Sequence, residues 1–173
     1  MSLSRRSFLL GSAAVGALAL AEPSLAQFAP VPASAGPFSS VSVDVTPLHA
    51  QGLGAYAEFV RAALLAEVRR AFADRIGGRG PRLVVRITGI YLASYSGGGG
   101  GGRHGGGTAI DRDNLDGEAL IVGPRGEILA RYPQLSAVPA AGGGAWYDPQ
   151  SEQRRVLNLA QHYAWWLRRT IGG

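Results

Sequence analysis

At 173 residues with no cysteine, the chain has room for a single domain with its own core, and it excludes a disulfide framework, a thiolate metal site and a lipid-bearing cysteine. All seventeen basic residues are arginine, set against twelve carboxylates, for a formal net charge of +5. High Ala, Gly and Arg without Lys reads as coding bias in a GC-rich genome, so arginine content is not taken as a sign of nucleic-acid binding.

The first element is a targeting segment. Ser4-Arg5-Arg6-Ser7-Phe8-Leu9 precedes an uncharged apolar stretch from Leu9 to Ala21, and Pro23-Ser24-Leu25-Ala26 supplies a small-x-Ala site. The paired arginines ahead of Phe8 and Leu9 resemble a twin-arginine export signal, although Leu10 stands where a lysine often follows. Cleavage is expected near Ala26. The stretch is about 13 residues long, short of the roughly 20 that a membrane span needs. The expected location is the periplasm. The remaining chain carries fifteen arginines and eleven carboxylates, net +4, compatible with loose attraction to anionic lipid or cell-wall polymer. No transmembrane segment is expected in it.

Residues 27–40 are rich in Pro, Ala and Ser and read as an extended linker, with one domain over 41–173. Val41 to Val45 alternates apolar and polar, as a half-buried strand does, and Pro47 ends it. Leu53 to Ile76 reads as a long helix, since Leu53, Tyr56, Val60, Leu64, Val68, Phe72 and Ile76 form one stripe. Gly77-Gly78 stops it. Arg82 to Tyr95 is the clearest strand, and Gly89 reads as a bulge that shifts its phase. A glycine loop spans 97–107, broken only by Arg103-His104. Leu115 to Gly123 and Glu127 to Tyr132 form a hairpin about the Gly123-Pro124-Arg125-Gly126 turn. Pro133 to Ala145 reads as a loop. Asp148 and Pro149 then cap and start a final helix that runs to about Ile171. The order β-α-β-β-β-α predicts an α+β fold: an antiparallel sheet of about four strands with two helices on one face.

Motifs for chemistry are sparse. The glycine loop lacks the following helix and the Gly-Lys-Ser/Thr of a phosphate loop, so it reads as a connection in which Arg103 and His104 could meet an anion. His49, His104 and His162 show no ligand spacing, and no metal and no cofactor is expected. Asp111, Asp113, Asp116 and Glu118 form an acidic cluster, but Asp116 and Val122 stand where a calcium loop needs Gly and Glu. Asp116 and Glu118 share one strand face and could act as paired carboxylates, or simply be solvated. On the last helix Val156, Leu159, Ala160, Tyr163, Leu167 and Ile171 share the core face, with Trp166 at its edge. Trp165 points the opposite way, amid Asn158, Gln161, His162, Arg168 and Arg169. It is either covered by the linker or the Trp146-Tyr147 loop, or exposed as an anchor for a partner, a sugar ring or a membrane interface. The candidate binding residues are Trp165, His162, Arg169, Arg103 and His104; no catalytic set is visible.

Gly80-Pro81-Arg82-Leu83-Val84-Val85, Asp116-Gly117-Glu118-Ala119-Leu120-Ile121-Val122 and Gln161-His162-Tyr163-Ala164-Trp165-Trp166, together with the export signal, resemble uncharacterised twin-arginine-exported bacterial proteins. More distantly, the early helix, long strand and glycine-turn hairpin resemble small accessory domains of envelope assembly and transport lipoproteins. That resemblance is one of topology. It implies no catalytic residues, and the lipid-bearing cysteine of those proteins is missing here. Three functions follow as expectations: a non-enzymatic accessory or binding domain of the envelope, partnered by an envelope protein; a peripheral membrane or cell-wall binder; or a small envelope hydrolase or transferase using Asp116, Glu118 or His104. The sequence is silent on oligomeric state.

Overall fold

The computed structural model describes residues 37–94, 112–145 and 147–172. Arg5, Arg6, Phe8, Arg103, His104, Asp111 and Trp146 lie outside the described residues.

Strand β1, Ser40–Asp44, turns Val41 and Val43 into the core. The Asp44 carboxylate accepts the Thr46 N–H at 2.9 Å, and Pro47 then sits in the first turn of a short helix α1, Thr46–Ala50. Helix α2, Gly54–Ala71, buries the four-spaced set Val60, Leu64 and Val68. It stops before Ile76, the expected end. The reason is tertiary: Phe38 is fully buried edge-on against Phe72, its N–H donates to the Arg75 carbonyl at 2.6 Å, and its own carbonyl accepts from Gly77 and Gly78. These bonds draw Ile76 into an extended bridge, after a single 3-10 turn at Ala73–Arg75.

Strand β2, Arg82–Tyr91, sends Leu83, Val85 and Ile87 inward. Its register slips between Ile87 and Gly89, a bulge that leaves Thr88 unpaired and returns Ile90 to the inner face. Strand β3 covers Arg112–Val122 and β4 covers Ile128–Pro139. The turn between them closes by Gly123 N–H to the Glu127 carbonyl at 2.8 Å, with Gly126 at φ +86°. Residues 133–139 are therefore strand and not loop. In the four-stranded order β1-β2-β3-β4, β4 is an edge, where Pro133 and Pro139 are tolerated because one row of N–H groups needs no ladder partner. The sheet is mostly antiparallel. The exception is β1, which runs parallel to β2 because α1 and α2 supply the crossover that a parallel pair requires.

Helix α3, Ser151–Gly172, buries Val156, Leu159, Ala160, Tyr163, Leu167 and Ile171. Asp148 makes the turn just ahead of it: its carboxylate accepts from Gln150 N–H, and its carbonyl from Ser151 N–H. Helices α2 and α3 pack side by side and cover the inner sheet face. They run parallel, with Tyr56 beside Glu152 at one end and Phe72 beneath Arg168 at the other. Across the outer sheet face, charges alternate from strand to strand. Arg86 bridges Asp44 at 2.9 Å, and Arg131 bridges Glu118 at 3.1 Å. Among the described residues, no helix is long and apolar enough to cross a membrane.

Candidate functional site

The outer surface of α3 carries two adjacent indoles. Trp165 is 50% exposed and Trp166 43% exposed. Their rings meet edge to face at 4.9 Å between centroids. One turn on, the Arg169 guanidinium lies over both, 4.9 Å from the Trp165 ring and 5.4 Å from the Trp166 ring. His162, one turn before Trp166, accepts its indole N–H through Nε2 at 3.0 Å. The helix places all four, since residues three and four apart are neighbours on its surface. Beside Trp165, between α2 and α3, runs a shallow groove of about 230 Å³ lined by Glu67, Arg70, Ala71, Gln161 and Arg168. The arginines on its walls are engaged: Arg70 pairs with Glu67 at 3.1 Å, and Arg168 with Asp74 at 2.8 Å. Arg169 has no carboxylate partner among the described residues.

The bond from Trp166 requires a neutral His162 with its proton on Nδ1. That Nδ1 is buried and meets no partner among the described residues. Desolvation lowers the His162 pKa below its ordinary 6.5, so the folded protein favours the neutral ring. The unfolded chain takes up a proton near pH 6.5 and the folded one only at lower pH, so this contribution to stability is full above that pH and is lost as pH falls below it. Protonation puts a hydrogen on Nε2 and ends the indole bond. Tryptophan emission of the wild type is therefore expected to titrate below pH 6.5, and that of His162→Gln to stay flat. Superimposable titrations of the two would refute the coupling.

Among the described residues, the other sequence candidates do not come together. His49 sits at the far end on α1, bonded to Glu58 at 2.8 Å. Asp116 and Glu118 do share the outer sheet face, but Glu118 is held by two arginines, 3.1 Å from Arg131 and 3.8 Å from Arg86. Its carboxylate is thus engaged in ion pairs to both neighbouring strands. Asp113 leaves the acidic cluster altogether. It faces the core with its carboxylate fully buried, and it accepts both Nε and Nη2 of Arg155. Arg155 is 5% exposed and also donates to the Ala93 carbonyl at 2.7 Å.

Arg155 also lines an open cleft of about 540 Å³, together with Leu53, Tyr56, Ile90, Leu92 and Glu152. Burial, and then the adjacent Glu152 carboxylate to which it donates, push the Tyr56 hydroxyl well above the ordinary tyrosine range. Two signals for this buried pair stood in the sequence. Asp113 shares its strand parity with Leu115, and Arg155 lies one turn before Leu159.

Comparison with known proteins adds little. No protein-family model and no curated protein matches the chain. A solved structure of a minor lipoprotein from Acinetobacter baumannii is similar at 11% identity and a TM-score of 0.41, covering 78% of this chain and 93% of that chain. Function is therefore read from this chain's own residues.

Proposed function

We propose that this is a periplasmic, non-enzymatic accessory or binding domain of the cell envelope, exported by the twin-arginine route with its signal cleaved near Ala26. Its contact surface is the outer face of α3, formed by Trp165, Trp166, His162 and Arg169. The carrying observation is the pair of half-exposed indoles under a guanidinium that has no carboxylate partner among the described residues. Two large aromatic rings left in water on an otherwise polar helix face are what a contact surface needs, because aromatic and arginine side chains dominate binding energy. The signal residues Arg5, Arg6 and Phe8 support the address.

A photo-crosslinking amino acid at Gln161, exposed beside Trp165, tests the surface in living cells. It is expected to give a discrete adduct with an envelope component. The same probe at Tyr91, exposed on β2, is expected to give none. Equal adducts from both positions would sink the assignment of α3. Replacing Arg5 and Arg6 by lysine is expected to leave the precursor uncut inside the cell. Unchanged processing would sink the twin-arginine address.

A further inference from the structure

We propose that this surface docks on an anionic phospholipid bilayer. The proposal rests on the reading that the outer face of α3 is the contact surface, and it names the partner.

The parallel packing of α2 and α3 puts both C-terminal ends at one end of the molecule. Register adds the start of β2 and the β3–β4 turn to the same end, since Arg82 pairs with Val122. Arginines collect there. Arg69, Arg70 and Arg75 close α2 and its following turn, and Arg168 and Arg169 close α3. Arg79, Arg82 and Arg125 carry the charge across to the sheet layer. These eight arginines face only Glu67, Asp74 and Glu127 at that end, whereas the other described residues hold six arginines and seven carboxylates. Essentially the whole positive excess of the described molecule sits at one pole.

Arginine near a helix C-terminus has a local purpose, since it offsets the negative end of the helix dipole. Arg75 does this directly, donating to the Ile171 carbonyl at 3.5 Å. That does not account for Arg79, Arg82 and Arg125, which lie outside helices, nor for Arg169, which lies on indole faces. The two tryptophans stand beside this basic pole. Indoles have an apolar body and a polar N–H, and they settle at the headgroup level of bilayers. Basic residues beside them are drawn to the negative lipid surface. A glycan partner fits less well. A sugar stacks on an open indole face, and here Arg169 lies over a face of each ring.

The test uses the purified protein in the form cells accumulate, with vesicles of phosphatidylcholine alone or mixed with phosphatidylglycerol. Sedimentation and tryptophan emission are read together. Binding with a blue shift is expected on the mixed vesicles only, and salt well above physiological strength should release it. Arg169→Glu and Trp165→Ala are each expected to weaken binding at least about tenfold. Arg125→Glu, in the β3–β4 turn outside both helices, guards against a local folding defect and should also weaken it. Arg112→Glu, exposed at the opposite pole, should not.

Equal losses from Arg112→Glu and Arg169→Glu would overturn the proposal, because the attraction would then be unlocalised. Failure to bind mixed vesicles, with binding to purified cell-wall sacculi that Trp165→Ala abolishes, would overturn the lipid partner and keep the surface. Binding to neither, or binding that Trp165→Ala and Arg169→Glu leave unmoved, would overturn both.

Discussion

Asp113→Ala is expected to destabilise the fold by about 3–5 kcal/mol, the cost of leaving one member of a buried ion pair without its partner. Arg155 loses both bonds to the carboxylate, and the Ala93 N–H loses its 3.0 Å acceptor. Little water reaches the site to compensate, because Arg155 is 5% exposed and Asp113 not at all. In a domain of this size such a loss lowers the melting temperature by about 10 °C or more.

The absolute worth of the pair is a separate matter. Removing both charges and filling the space with Asp113→Leu and Arg155→Met is expected to recover most of the loss, since a buried pair and a well-packed apolar replacement are often close in free energy. Thermal and urea unfolding of the two single variants and the double variant forms a cycle that isolates the interaction. A single Asp113→Ala within about 1 kcal/mol of wild type would show that the pair is not the closed, dry contact described here.

The same pair shows where sequence reasoning reached its limit. Alternation exposed the inward sets Val41 and Val43, and Leu83, Val85 and Ile87. The four-residue stripe exposed α2, because both periods are written in the side chains themselves. Strand direction has no such mark, so the parallel pairing of β1 with β2 was not legible. The second half of β4 was masked by Pro133 and Pro139, which mark loops unless the strand is known to be an edge. The end of α2 was decided by Phe38, more than thirty residues upstream, whose backbone takes over the bonds that would have continued the helix.

The proposed contact surface was half legible. A helical wheel puts Trp165 opposite the core stripe from spacing alone. It places Trp166 at the margin of the core, and the structure leaves that ring 43% exposed. The stacking of Arg169 on both indoles depends on rotamers that no period encodes. The charge polarity was invisible for a different reason: it arises from eight arginines on several separate segments, which meet at one end only once the strand order and the parallel helices are known.

Gly117→Ala is expected to destabilise the protein, although the same change at an ordinary strand position stabilises by removing glycine's entropy cost. Gly117 lies in β3 opposite Ile87, directly beneath Tyr163. A methyl group there would collide with the Arg86 carbonyl oxygen, stand 3.0 Å from Ile87 Cδ1 and 3.1 Å from the Tyr163 hydroxyl. The bulge after Ile87 follows at once, so β2 has no slack to retreat without disturbing its register. Overpacking of this kind costs about 1–3 kcal/mol.

Tyr163→Phe separates the hydroxyl from the other two obstacles. The Tyr163 hydroxyl is buried with no partner among the described residues, so its removal alone should be neutral or mildly stabilising. If the hydroxyl is the main obstacle, Tyr163→Phe restores most of what Gly117→Ala loses. The geometry favours the other outcome. The Arg86 carbonyl belongs to the sheet backbone and cannot rotate away, so the double variant should stay close to Gly117→Ala. A Gly117→Ala protein that melts higher than wild type would mean that β2 and β3 lie farther apart than described.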